Sequence, residues 1–301
     1  MRTHNYQKET LWFKSAKLLF VISFFFMSGP KAECQESEKP DSVFSRGSYD
    51  ETFSTSRIGL AQSVMTTPKE EFHLVVQHRF GEISGDVNNF FGLDGASTRL
   101  GFEYGILNWL SAGIGRSMSV QTYDLGLKAV MLKQNAGNIP ISLSWYVSFL
   151  ENTSQNDLWT GHDSFGSRLS FVNQLFIARN QGILSFQISP LWVHSVYEPR
   201  TDGPLGPLDL FGVDLDAKIR LSETFGLIAE YIPVMTRADF EITNPFTVGL
   251  DINTGGHQFQ VIFSNSQGTN EKEILANTAG SWSKGHIYFG FNLTRVFNSH
   301  Y

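Results

Sequence analysis

Apolar and polar residues alternate with a period of two along most of the chain beyond residue 68. In one example, Leu169, Phe171 and Ile177 share one face of an extended segment, while Ser170 and Gln174 share the other. Alternation of this kind indicates β-strands with one apolar and one wet face. It predicts twelve strands, at about 71–81, 97–105, 110–117, 121–133, 139–150, 167–178, 183–195, 210–221, 225–235, 245–253, 257–266 and 286–297.

The connections between these segments alternate in length. One set is short: 106–109, 134–138, 179–182, 222–224 and 254–256. The other set is mostly long and polar: 82–96, 151–166, 196–209, 236–244 and 267–285, with 118–120 as its one short member. Because outer-membrane barrels have short periplasmic turns and longer extracellular loops, the pattern predicts an all-β fold, a closed antiparallel up-and-down transmembrane β-barrel of about 12 strands.

The segments are long for a soluble sheet and suit a bilayer, which tilted strands of about 9–11 residues can cross. Their wide apolar faces are expected to meet lipid and their polar faces to line the lumen. Lumen-lining charges of both signs indicate a salt-bridged interior rather than a strongly ion-selective ring. The candidate lumen-lining residues are Arg99, Glu103, Asp124, Lys128, Arg168, Asp214, Asp216, Lys218, Arg220, Glu230 and Asp251.

The N-terminus has the three parts of a signal peptide. Basic residues precede the apolar run 18–27, and small residues follow it. We predict a signal peptide over residues 1–34 with cleavage after Cys34; acylation of Cys34 is a weaker alternative because Glu33 precedes it. The polar segment 35–68 is predicted to be a leader that either stays in the periplasm or enters the barrel as a plug, and residues 69–301 form the barrel domain.

Composition narrows the range of functions. The chain has 301 residues, 26 of them Phe, and a net charge of −6. An acidic chain without basic clusters is not expected to bind nucleic acid. Outer-membrane lipid, and the barrel-assembly machinery during biogenesis, are the expected partners; a small solute or a protein partner stays unidentified. Localisation in the outer membrane follows from the barrel pattern and the signal peptide.

Several stretches resemble a known family. They are STRLGFEYGI at 97–106, SAGIGRS at 111–117, RLSFVNQLFIAR at 168–179, TNPFTVGLDINTGGHQFQVIFSNSQG at 243–268 and GHIYFGFNLTRVF at 285–297. They are similar to an uncharacterised family of bacterial outer-membrane β-barrels, domain-of-unknown-function family 5777. The resemblance covers about residues 50–297 and implies a single membrane barrel. It assigns no catalytic or ligand-binding residue.

No motif predicts a reaction. Thr254–Gly256 lacks the Lys and Ser/Thr of a phosphate-binding loop and suits a hairpin turn. Asp214 and Asp216 share a face that could serve acid/base chemistry or a cation, but Lys218 and Arg220 continue that face, so mutual neutralisation is the favoured interpretation. The histidines lack metal-ligand spacing. We therefore expect no catalytic residue, cofactor or metal.

Three functional hypotheses stay open. The first is a small passive channel or transport-associated pore, and the protein is not expected to be an enzyme. The second is a closed structural barrel with partner-binding extracellular loops. The third, less favoured, is a barrel hydrolase.

Overall fold

The computed structural model describes residues 52–84, 92, 95–135, 138–155, 159, 164–200, 203–236 and 242–298. The predicted signal peptide, residues 1–34, and residues 35–51 lie outside the described residues. Among those described, no helix has both the length and the apolar character needed to cross a bilayer.

Twelve antiparallel strands form a closed barrel in which each strand pairs with its neighbours along the chain. The last strand pairs with the first of the ring and closes it, with Phe291 opposite His78. This confirms the predicted fold class and strand number. The barrel strands are β3 (Glu71–Glu82), β4 (Ser97–Leu107), β5 (Leu110–Ser117), β6 (Thr122–Leu132), β7 (Ser142–Asn152), β8 (Leu169–Gln181), β9 (Leu184–Arg200), β10 (Gly203–Arg220), β11 (Phe225–Tyr231), β12 (Phe246–Asn253), β13 (His257–Ser264) and β14 (Tyr288–Asn298).

The two faces of the wall differ as a membrane barrel requires. On β6, Leu125 is 53% exposed whereas Asp124 beside it is 5% exposed. Apolar side chains therefore cover the outside, where lipid replaces water, and polar side chains turn inward. Tyr104 and Trp109 are exposed at the short-turn end, where amphipathic rings suit the membrane interface.

Two strand predictions need correction. The predicted long loop 196–209 is largely strand, because β9 continues to Arg200 and β10 begins at Gly203. Main-chain pairing beyond the bilayer needs no apolar face, so alternation fails to mark it. Conversely, β11 ends at Tyr231 and not at residue 235. Pro233 has no N–H to donate, and there its carbonyl accepts from the Val213 amide instead.

A short hairpin precedes the barrel strands and lies inside them. Its strands are β1 (Arg57–Ile58) and β2 (Ala61–Gln62). Gly59 turns the hairpin with φ +59°, a conformation that favours glycine. Near the short-turn end, the Pro68 carbonyl lies where a side chain at position 105 would be, so Gly105 lets the chain pass from the lumen to β3. We call residues 52–67 the luminal hairpin segment.

The connection between β13 and β14 also folds inward. It carries helix α1 (Glu271–Ala276), in which Ile274 and Leu275 are fully buried. These side chains join an apolar cluster with inward residues of β8, β9 and β10 and with the luminal hairpin segment. The interior is thus polar on one side and apolar on the other. Members of the cluster are Ile58, Leu60, Val64, Val172, Phe176, Leu191, Val193 and Leu210.

Candidate functional site in the barrel lumen

The luminal hairpin segment is held by side chains from strands all around the ring. At its turn, the Leu60 amide donates to Glu230 Oε2 (2.9 Å) and the Ala61 amide to Glu230 Oε1 (2.9 Å). The Gly59 carbonyl accepts from Asn292 Nδ2 (2.7 Å). Inward side chains thus satisfy main-chain groups that the two-stranded hairpin leaves without partners.

Lys128 is the cation that holds the returning half of the hairpin. Its Nζ donates to the carbonyls of Ser56 (3.0 Å), Ser63 (2.9 Å) and Met65 (3.1 Å). Lys128 is 4% exposed, so its three donors are fully used by main-chain oxygens. Hydrogen bonds from a charged donor are stronger than neutral ones, which makes this contact the main latch of the segment.

Uncharged side chains complete the contact. The Val64 amide donates to Gln187 Oε1 (2.6 Å), and Ser144 Oγ donates to the Val64 carbonyl (2.7 Å). Nothing in the sequence singles out Gln187, Asn292 or Ser144 as functional. The signal that was available is their place on the polar face of an alternating strand, which they share with the charged residues.

Two ion pairs stand at different heights in the wall. Arg99 donates through Nε to Asp124 Oδ2 (2.8 Å), and both side chains are almost fully buried. Lys218 pairs with Asp251, next to Ser54 at the start of the hairpin segment. Lys218 therefore does not neutralise Asp214 and Asp216, as the shared face had suggested.

The predicted lumen-lining residues lie as follows. Nine of them are on inward positions of the strands, and seven of those are buried. Arg168 instead ends the 3-10 turn Phe165–Arg168 before β8, where its guanidinium lies 5.1 Å from the Trp159 ring. Arg220 is the last residue of β10. The inward set is Arg99, Glu103, Asp124, Lys128, Asp214, Asp216, Lys218, Glu230 and Asp251.

Little free space is left beside the hairpin. A cavity of about 20 Å³ is bounded by Arg57, Arg99, Glu103 and Lys128, among others. That is room for about one water molecule. In the described part of the chain, the lumen is filled by its own residues and not by solvent.

Helix α1 seats a buried carboxyl above the hairpin. Asn270 caps the helix by accepting from the Glu273 amide (3.0 Å), and the Thr269 amide donates to Glu273 Oε2 (3.1 Å). Burial raises the pKa of Glu273 to about 7 from its ordinary 4.5, although the Thr269 hydrogen bonds and Arg99 oppose that shift.

This pKa predicts that the helix is seated more firmly at low pH. The folded state favours the neutral acid, so the penalty for burying charge is absent below about pH 4.5 and complete above about pH 7. We expect the Ile274 and Leu275 amides, after correction for intrinsic rates, to exchange faster at pH 8 than at pH 5. The variant Glu273→Gln should lose that difference; the same pH dependence in the variant would contradict the assignment.

Comparisons with known proteins agree with the fold. The NanC porin structure is similar to this chain with a TM-score of 0.51 and 9% identity, over 74% of this chain and 98% of that one. The KdgM porin in complex with disordered oligogalacturonate has a TM-score of 0.46 and 10% identity, over 74% and 99%. Omp33 of Acinetobacter baumannii has a TM-score of 0.40 and 7% identity, over 76% and 99%.

At such identities the likeness concerns fold alone. No curated protein matches the sequence. The profile of a family described as membrane bound beta barrel domain (DUF5777) matches residues 53–297, which include both the ring and the luminal hairpin segment. The lipid-facing wall, the closed ring and this match together place the protein in the outer membrane. The chain belongs to the DUF5777 family of membrane-bound β-barrels.

Proposed function

We propose that the protein is a passive outer-membrane channel for small polar solutes, and that its closed state is the one in which the luminal hairpin segment fills the lumen. The observation that carries this proposal is the division of labour in the interior. The ring of strands is closed without the hairpin. The hairpin is attached through side chains such as Lys128 and Glu230 rather than through the strand ladder.

The direction of insertion supports a removable plug. Ser54 contacts Asp251 close to the short turn between β12 and β13, and Lys69 pairs with Gly105 close to the turn between β4 and β5. The hairpin thus enters and leaves by the same end of the barrel. It can withdraw toward the short-turn side without threading through the wall.

No chemical step is part of this proposal. Passage through a barrel of this size needs only a wet path, and wall charges of both signs suit small polar solutes without strong ion selection. We further propose that β14, whose outer face carries Phe289, Phe291 and Phe297, is the strand that the barrel-assembly machinery recognises during insertion.

Removal of the hairpin tests the channel. The mature protein and a variant lacking residues 35–67, which keeps the Lys69–Gly105 pairing, are folded in detergent and reconstituted in planar bilayers. We expect rare or no conductance steps from the full chain and stable steps from the deletion variant. Circular dichroism and heat-modifiable electrophoretic migration establish that both are folded. Folded deletion protein without conductance would overturn the proposal.

A closed structural barrel with partner-binding loops is the second candidate. It is favoured by the filling of the lumen from both ends, by the hairpin segment and by α1 with its buried Ile274 and Leu275. It predicts that the deletion variant stays silent in the bilayer experiment.

A further inference from the structure

Three carboxylates meet in the wall beside the hairpin turn. Asp214 and Asp216 lie on β10 and Glu230 on β11, where Glu230 is directly opposite Asp216 in the ladder. One oxygen from each lies within 4.8 Å of the others, and all three side chains are buried. Like charges this close in a buried site repel unless a cation or protons compensate them.

The cationic side chains around this cluster are committed elsewhere. Lys218 bonds to Asp251, Arg99 to Asp124, and Lys128 to carbonyls of the hairpin. The carboxylates receive only neutral donors in the described structure. Gln187 Nε2 donates to Asp216 Oδ2 (2.6 Å), and the Leu60 and Ala61 amides donate to Glu230.

Several oxygens at this place have no partner. Oδ1 of Asp214 and Oδ1 of Asp216 are buried without a hydrogen bond to any described residue. So is the uncharged Ser189 Oγ, on a residue that is fully buried and directly opposite Asp214 on the inner face of β9. A buried hydroxyl without a partner is rare, and its position beside two such carboxylate oxygens is independent of their charge.

A fourth side chain adds an amide oxygen. Gln174 is almost fully buried, and its Nε2 lies 3.5 Å from Asp214 Oδ2, which keeps the amide at the cluster. Its Oε1 is without a partner among the described residues. Carboxylate, hydroxyl and amide oxygens from three adjacent strands therefore converge with unused acceptor capacity.

We propose that Asp214, Asp216, Glu230, Ser189 and Gln174 bind a calcium ion. Calcium takes six to eight oxygen ligands in flexible geometry, which an irregular set on three strands can supply. The set offers no imidazole or thiolate, the donors that zinc prefers. Magnesium demands a near-ideal octahedron and keeps its waters, which a tightly filled lumen accommodates poorly.

The site adjoins the proposed plug. Glu230 would ligate the ion while accepting the amides at the hairpin turn, so bound calcium would keep that carboxylate ionised and the hairpin seated. This consequence rests on the proposed channel function, whereas ion binding itself does not.

Binding is measured on the chelator-treated, full-length mature protein in detergent, by isothermal titration calorimetry with calcium chloride at pH 7.5. We expect one saturable site, and at least about a 100-fold loss of affinity in Asp214→Asn/Asp216→Asn. The control variant Glu70→Gln/Glu223→Gln removes two acids near the short-turn end and should bind as the wild type does. Ser189→Ala, a smaller change that should fold normally, is expected to weaken binding about tenfold.

Thermal unfolding separates an ion from shared protons. Calcium should raise the Tm of the wild type and leave that of Asp214→Asn/Asp216→Asn unchanged. Absence of saturable binding in the wild type, or equal binding in the wild type, the double variant and Ser189→Ala, would overturn the proposal. If the double variant has the higher Tm and the wild type binds no calcium, shared protons balance the cluster. Because the titration needs no conductance, it stands whether or not the deletion variant conducts.

Discussion

Lys128→Met is expected to release the luminal hairpin segment while leaving the barrel intact. The substitution keeps an unbranched chain of similar length but removes all three donors to the carbonyls of Ser56, Ser63 and Met65. Hydrogen bonds from charged groups contribute about 1.5–3 kcal/mol each, and carbonyls left without partners regain water only when the hairpin leaves. Because the three bonds are not additive, we expect a shift of about 3 kcal/mol, or about two orders of magnitude in the population of the released state.

Hydrogen exchange detects this release directly. The amides of Leu60 and Ala61, which donate to Glu230, should exchange about 100-fold faster in Lys128→Met than in the wild type. Amides of the β8–β9 ladder should be unaffected. Lys133→Met, an exposed lysine just beyond the same strand, is the matched control and should leave the exchange unchanged.

The same variants connect the latch to conductance. If the hairpin is the plug, Lys128→Met should open in planar bilayers about 100 times as often as Lys133→Met, in step with its faster exchange. Faster exchange without opening would keep the latch and contradict the channel. Unchanged exchange at Leu60 and Ala61 would contradict the latch itself.

Asp124→Asn is expected to destabilise the wall rather than the hairpin. Arg99 is buried, and Asp124 supplies its only carboxylate; the remaining side-chain partner is Gln77 Oε1 at 3.2 Å. Breaking a buried ion pair by removing one partner costs about 3–5 kcal/mol, because the other charge stays buried without compensation. The free energy of unfolding in detergent, measured with urea, should fall by this amount.

A second variant distinguishes the lost ion pair from a packing defect. Arg99→Met/Asp124→Asn removes the stranded charge and should recover most of the loss. Glu70→Gln, which breaks the exposed Lys69–Glu70 pair, should cost less than about 1 kcal/mol. An equal loss in Asp124→Asn and in the double variant would show that the guanidinium charge is not the cause.

Particular residues show how far sequence reasoning reached. Alternation at Leu125 beside Asp124 marks which side chain meets lipid, since a strand places neighbours on opposite faces. It cannot tell which inward groups meet, because inward residues of different strands are brought together by the ring. Lys218 was expected to neutralise Asp214 and Asp216 on its own strand, but across the lumen it meets Asp251.

The amino-acid sequence by itself determined the fold of the barrel: its period of two sets the lipid-facing and inner faces, and its turn lengths set the up-and-down order. Tertiary structure alone decided what fills the lumen. The contacts of Ser56, Gly59 and Leu60 are mostly made by their main-chain groups, which every residue type carries, so no side-chain pattern announces them. The carboxylate cluster likewise exists only once β10 and β11 are in register, because Glu230 meets Asp216 through pairing and not through spacing along the chain.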